Sequence, residues 1–441
     1  MQLVLLLLVA AVAAQPLTLE PYTLRVFDGA QTAADLGRLQ VAPGIQIAFL
    51  RLRARTERSG PPILFLMGGA GRGIVMGQVP PFYRLFDRLR DVADVLLLDQ
   101  RGIGMSVPDL ESVCSAGPPA PPDALSTPAR LLDAQLAAIR RCVDQISARS
   151  IDLGAFTVGN RANDIEQLRR ALGAERVSLL AWSAGTETAL ETMRRFGDRI
   201  ASAVLAGAVG PDDILSLPST ADLLLRRISP ALFETARALA EKLDRQPMKM
   251  TAGDREILVG KPALQAAIQA DLSDGRALPS LPVWLPALAK GDPQAFQRKA
   301  EGMYNGLRSA SVLGLALGCD RGWPPGRLER VRREARLSVA GSDGSPLPQA
   351  CAMLKLPRDA AQDQPMFSAA RTLFVTGTLD AATPPHQAEQ IRLGFPNSSH
   401  LIVTNGTHDS IAHPAVQSAI VSFFKGEDAG RSTLELPSPF R

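Results

Sequence analysis

The sequence predicts an α/β protein: a mostly parallel β-sheet with helices on both faces and a helical cap inserted into it. Three observations predict this. Short, largely apolar runs such as Ile63–Leu66 and Val177–Trp182 have the character of strands buried on both faces. Helical stretches alternate with these runs, the pattern of a parallel sheet covered on both sides. The alternation stops between 211 and 364, where helical periodicity and proline dominate and no buried strand is visible, and it resumes from 365.

In chain order, residues 1–14 carry an apolar run that falls short of the ~20 helical residues a bilayer requires. The run ends in small residues around 11–14 that offer a cleavage site, so the segment reads as a signal peptide, although no Lys or Arg precedes it. No other segment is apolar for long enough to insert stably into a membrane. The core is expected over 15–210 and 365–441, with the cap over 211–364. Residues 22–27 and 44–53 read as strands of an opening hairpin. Pro61 and Pro62 break the chain before the buried strand Ile63–Leu66, which runs into the glycine-rich segment 68–73. A helix is expected over 81–90, then a strand over 92–98 ending at Asp99, then a proline-rich loop over 117–122. Helices follow over 127–147 and 163–172. Strands are expected over Val177–Trp182, Ile200–Ala206, 372–375 and 401–403, and a last helix over Pro414–Phe424. The polar tail after Lys425 reads as a loose terminus.

With 441 residues, 46% of them hydrophobic, the chain can bury a large core. The net charge of +4 is carried by basic residues interleaved with acidic ones, as in Arg51, Arg53, Arg55 and Glu57, with no basic run. That argues against a nucleic-acid partner. Cys114, Cys142, Cys319 and Cys351 are even in number, which in an exported chain permits two disulfides. Pairing neighbours in sequence gives Cys114–Cys142 and Cys319–Cys351, one of three connectivities. No CxxC pair occurs, so zinc is not indicated. A secreted or periplasmic location is expected.

The sharpest chemical feature is Ala181-Trp182-Ser183-Ala184-Gly185, set between a buried strand and a helix. A serine on such a turn is held in a strained conformation and needs small neighbours, here Ala181 and Gly185. Asp380, just past the strand over 372–375, and His408, between the strand over 401–403 and the last helix, complete the order serine, acid, histidine. His386, His400 and His413 sit at starts of helices or strands and read as caps or surface residues. A serine hydroxyl needs a base titrating near neutrality, and the imidazole needs a carboxylate to fix its tautomer. The segment 68–71 leaves room for backbone N–H groups to approach. Gly69 and Ala184 are the expected donors to an oxyanion. A phosphate or dinucleotide loop would need spacing that Gly69-Ala70-Gly71-Arg72-Gly73 lacks. In Asp99-Gln100-Arg101-Gly102, Asp99 and Arg101 are expected to pair within a structural turn that supports the site.

The glycine-rich loop, Asp99-Gln100-Arg101-Gly102-Ile103-Gly104-Met105-Ser106, the helix over 163–172, the serine turn, Gly377-Thr378-Leu379-Asp380 and Gly406-Thr407-His408-Asp409 come in a fixed order. In that order they resemble the proline iminopeptidase and tripeptidyl-aminopeptidase-like α/β-hydrolases. The resemblance covers most of the chain and is loose in the cap. It implies the α/β-hydrolase fold, Ser183, Asp380 and His408 as a catalytic triad, cleavage at peptide N-termini, and neither metal nor organic cofactor. Two departures stand out. The family loop usually reads His-Gly-Gly-Pro-Gly where this chain has Met67-Gly68-Gly69-Ala70-Gly71. Ala181 and Ala184 replace the usual glycine and aromatic residue. Aminopeptidases of this type bind the substrate ammonium with acidic cap residues, and Glu301 is one candidate here. The expected substrate is a small peptide. The alternatives are an ester or amide of other type acted on by the same triad, and a binding protein that retains the fold without catalysis.

Overall fold

The computed structural model describes residues 17–440 apart from 57–58, 211–212, 343–344, 357, 360–363, 365 and 428–431. The expected signal peptide over 1–14 lies outside the described residues. Strands β1 (Thr18–Arg25), β2 (Gln31–Ala42), β3 (Ile45–Leu52), β4 (Ile63–Leu66), β5 (Val95–Asp99), β6 (Val177–Trp182) and β7 (Ile200–Ala206) precede the insertion. Within it lie β8 (Met248–Ala252) and β9 (Arg255–Val259), and after it β10 (Arg371–Gly377), β11 (Ser398–Thr404) and β12 (Thr433–Glu435). Ten strands form one sheet in the order β1-β2-β3-β5-β4-β6-β7-β10-β11-β12. The first three pair antiparallel, and every pair from β5 to β12 is parallel.

The two-residue period of the strands divides the core between the faces. Phe65, Leu97, Leu180, Val204 and Val375 point to one face, with Phe82 and Phe86 of the helix Pro80–Leu89 and Ile420 of the helix Pro414–Phe424. Leu64, Leu66, Leu98, Leu179, Leu205 and Phe374 point to the other, with Leu168 of the helix Val158–Ala171 and Met193 of the helix Gly185–Phe196. Both faces are therefore apolar, which is why these strands read as continuous runs.

The expected hairpin of 22–27 with 44–53 is replaced by a three-stranded meander, because β2 lies between those segments. Its sequence, with Asp35 and Arg38 among small residues, hides the strand. Asp35 is buried and receives two hydrogen bonds from Arg53, at 2.7 and 2.8 Å. The helix expected over 163–172 starts at Val158, where the Thr157 hydroxyl caps it by accepting from the Asn160 N–H at 3.1 Å. The tail is tied down: β12 pairs with β11, and the Leu436 N–H donates to the Thr404 carbonyl at 3.0 Å.

Between β7 and β10 lie eight α-helices among the described residues and one hairpin, β8–β9, which the sequence did not suggest. Met250, Ala252, Ile257 and Val259 face the apolar core of this insertion, whereas Lys249 and Glu256 pair on the outside at 2.8 Å. Five-residue strands are too short to stand out from the surrounding helical periodicity. No helix among the described residues is long and apolar enough to cross a membrane.

Two disulfides are present, Cys114–Cys142 and Cys319–Cys351, with Cα atoms 4.9 and 5.2 Å apart. The second joins the helices Val312–Arg321 and Leu347–Leu354 across 32 residues of sequence. Closing a loop of that length stabilises a fold by about 3–4 kcal/mol through the unfolded chain. The Cys319→Ser/Cys351→Ser variant is therefore expected to melt several degrees below the wild type in differential scanning fluorimetry. An unchanged Tm would show that this bridge adds nothing to the fold.

Candidate functional site

Ser183 stands where β6 meets the helix Gly185–Phe196. Its N–H donates to the Ala206 carbonyl at 2.9 Å, and its φ is +56°. A left-handed serine costs about 1–3 kcal/mol, a strain that persists only where the surroundings impose it. Here they do. A Cβ at Gly185 would sit 2.1 Å from the Leu66 carbonyl oxygen, and one at Gly68 would sit 2.5 Å from the Ser183 Cβ. The turn is thus wedged against the end of β4. Ala181 is fully buried within the sheet, so a methyl is accommodated there.

Asp380 follows β10, and the chain turns around its carboxylate. Oδ1 accepts the N–H groups of Ala382 and Thr383 at 2.8 and 2.9 Å, and Oδ2 accepts the Thr383 hydroxyl at 2.6 Å. Oδ2 also lies 2.9 Å from His408 Nδ1, and His408 Nε2 lies 2.9 Å from Ser183 Oγ. The structure therefore brings Ser183, His408 and Asp380 into one chain of hydrogen bonds. With Nδ1–H donating to Asp380, Nε2 is left to accept the serine proton. The Trp182 indole N–H donates to the His408 carbonyl at 2.9 Å, and the two rings lie 5.7 Å apart. A Cβ at Gly207 would come within 2.7 Å of Thr383 Oγ1 and 3.3 Å of His408 Cε1, so the bare backbone there makes space for both.

Burial opposes the charged forms of both groups, but their mutual attraction prevails. Burial alone would raise the Asp380 carboxyl; the His408 charge and the Thr383 and His408 hydrogen bonds hold it below the ordinary value. Burial alone would lower His408; the Asp380 carboxylate raises it above the ordinary value of 6.5. The other histidines are engaged elsewhere. His400 bonds Thr376 Oγ1 at 2.7 Å and contacts Glu389, His413 accepts the Ala415 N–H at the last helix, and His386 is exposed.

The glycine-rich loop turns back on itself, the Gly71 N–H donating to the Gly68 carbonyl at 3.1 Å. Among the described residues, neither the Gly69 nor the Ala184 N–H has an acceptor within the protein. Asp99 and Arg101 do not pair as expected. Asp99 accepts the N–H groups of Ile74 and Met105, at 2.9 and 2.8 Å, and so closes its own turn. Arg101 reaches instead to Asp164, whose buried carboxylate satisfies it from the helix behind. Glu301 accepts the Gly253 N–H at the turn of the β8–β9 hairpin.

The insertion reaches the loops that bear Asp380 and His408. Leu379 and Ala381 pack against its apolar core, and the Gly275 N–H donates to Asp409 at 3.3 Å. It also reaches the helix behind Ser183, because Arg321 forms a buried ion pair with Glu187 and donates to the Gly210 carbonyl at 2.6 Å. Sequence reasoning missed Glu187, Arg321, Thr383 and Gly207. Only Thr383, three residues past Asp380 in a turn, carried a local signal. A cavity of about 410 Å³ borders Ala381 and Ala382 and runs between insertion helices. Another, of about 640 Å³, borders Met67, Trp182 and Thr407. Among the described residues, no cluster of three His, Cys, Asp or Glu side chains is arranged to hold a metal ion.

The chain is similar to several known proteins. The chain is 29% identical over 182 residues to a putative hydrolase, YuaR, of Escherichia coli K12, a match covering 39% of this chain and 32% of that protein. It is 24% identical over 172 residues to the serine protease Hip1 of Mycobacterium tuberculosis H37Rv, covering 38% of this chain and 32% of that one. The chain thus spans about a third of the length of the curated relatives it matches. Among solved structures, an esterase of Thermogutta terrifontis aligns over 92% of this chain and 98% of its own, with 16% identity and a TM-score of 0.40. The description alpha/beta hydrolase fold matches from residue 61 to residue 413, from β4 through the insertion to the His408 loop, and the chain belongs to that family.

Proposed function

We propose that this α/β hydrolase is a serine hydrolase that acts through an acyl-enzyme on Ser183, and that it is an exported aminopeptidase removing residues from peptide N-termini. The observation that carries the reading is the unbroken path from Asp380 Oδ2 through His408 to Ser183 Oγ, with both contacts at 2.9 Å. His408 Nε2 takes the serine proton as Oγ attacks the scissile carbonyl. The carbonyl oxygen becomes an oxyanion, held by the free N–H groups of Gly69 and Ala184. As the tetrahedral species collapses, His408 passes its proton to the leaving amine. Water then attacks the ester by the same route and frees the acid. The insertion serves as a cap over the loops of Asp380 and His408.

The peptide reading rests on the order of motifs and on the partial similarity to a serine protease. Two disulfides and the apolar N-terminal run support export, since such bridges persist in oxidising compartments. One observation favours a second reading, an esterase or amidase acting on uncharged substrates: among the described residues, the cavity beside Ala381 and Ala382 is lined by no charged side chain.

Kinetics separate the two readings. The aminopeptidase reading expects kcat/KM for prolyl- or alanyl-p-nitroanilide to exceed background hydrolysis clearly, and kcat to fall by ~10⁴–10⁶ in Ser183→Ala. Turnover of p-nitrophenyl butyrate without anilide cleavage would leave the esterase. Equal activity in both proteins would remove Ser183 as nucleophile.

The pH profile follows from His408. The base acts only when neutral, and its pKa is raised, so activity is present at high pH and is lost as pH falls through the raised value. The acid limb of kcat/KM should therefore lie above 6.5. Asp380→Asn removes the charge that raises it, so any residual activity should show the limb moved to lower pH. A limb that does not move in this variant would mean that another group titrates.

A further inference from the structure

We infer that Arg161 is a positioning residue: by gripping the Ala70 carbonyl it sets the peptide orientation that aims the Gly69 N–H at the substrate oxyanion. The inference rests on the reading of Gly69 as an oxyanion donor. Arg161 lies on the helix Val158–Ala171 and is 4% exposed. Its Nη2 donates to the Ala70 carbonyl at 2.8 Å and to the Arg101 carbonyl at 3.3 Å, and its Nη1 donates to Gln100 Oε1 at 3.3 Å. Among the described residues no carboxylate lies within ion-pair distance, and Nε has no partner. Burial pushes the group down to about 10, which leaves it charged at neutral pH.

Burying a guanidinium is costly, and its hydrogen bonds to main-chain carbonyls offset part of that cost while fixing the orientation of those carbonyls. A planar trans peptide carries its C=O and N–H on opposite sides. With the Ala70 oxygen held by Arg161, the Gly71 N–H is turned toward the Gly68 oxygen, which it meets at 3.1 Å. That bond fixes the next peptide, between Gly68 and Gly69. Its oxygen is committed to Gly71, so its N–H, that of Gly69, projects the other way, where it has no acceptor among the described residues.

Left alone, this loop would not hold that orientation. Gly69 and Gly71 have φ of +57° and +98°, and glycine permits a peptide flip at little cost. Ala70 stands where the resembling family places a φ-restricting proline. Gln100 secures the other end: its Nε2 donates to the Met67 carbonyl at 3.0 Å, and its Oε1 accepts from Thr188, on the helix behind Ser183, at 2.8 Å. One buried network thus references the loop to the helix that presents the nucleophile.

The test uses the full chain with p-nitrophenyl butyrate, once Ser183-dependent turnover is established. Arg161→Met keeps the apolar stem and removes the grip. The expected result is a kcat lower by roughly 10–100-fold with KM within about twofold, a partial loss of the effect of deleting one oxyanion donor. Inhibition by phenylboronic acid, whose adduct places an oxygen in the oxyanion position, should weaken by a similar factor. Arg161→Lys, which keeps the cation and a donor, should lose less in both readouts and serves if the methionine variant does not fold. A folded Arg161→Met with wild-type kcat, or with reduced kcat but unchanged boronate affinity, overturns the inference. A wild type that turns over neither p-nitrophenyl butyrate nor alanyl-p-nitroanilide would instead defeat the hydrolase reading and this inference with it.

Discussion

At the C-terminal edge of the sheet, the segments that carry the site approach one another backbone against backbone. The end of β4 leaves no space for a side chain at Gly185, and the Ser183 turn leaves none at Gly68. On the other side, a Cβ at Gly377 would lie 2.3 Å from the Gly406 oxygen, so the strand before Asp380 and the loop before His408 are in similar contact. These approaches impose the left-handed Ser183 and set the distances among three residues far apart in sequence. Everything proposed for the site depends on this close packing, which loops with larger side chains would not reach.

Charge is handled by the same economy. Asp380 is buried yet keeps its charge, because two N–H groups, a hydroxyl and an imidazole converge on it. Asp99, equally buried, closes its own turn through backbone donors. Arg101 is matched by Asp164, and Arg321 by Glu187. The buried Arg161 differs from these, spending its donors on carbonyls of the loops around Ser183. That difference singles it out.

Much of the architecture was legible in the sequence because it rests on patterns that repeat locally. Ile63–Leu66, Val177–Trp182 and Ile200–Ala206 appear at the expected places, since strands buried on both faces admit little besides apolar residues. β2, the β8–β9 hairpin and β12 were not visible, because their burial is set by neighbours distant in sequence. The same division holds at the site. Ser183, Asp380 and His408 sit in short motifs at strand ends, where a reader of sequence looks. Gly207, Arg161 and the Glu187–Arg321 pair depend on contacts between segments that no local motif records. The expected pairing of Asp99 with Arg101 failed for that reason: each found a better partner in another segment, backbone N–H groups for one and Asp164 for the other.

The central claim is that Ser183 is the nucleophile activated by this packing. Its most direct test is the reaction of the folded protein with a fluorophosphonate, read by intact mass and peptide mapping. The account predicts a single adduct, carried by the peptide that contains Ser183, formed rapidly near neutral pH and abolished by prior unfolding. An adduct on another serine, or none from a properly folded protein, would contradict it.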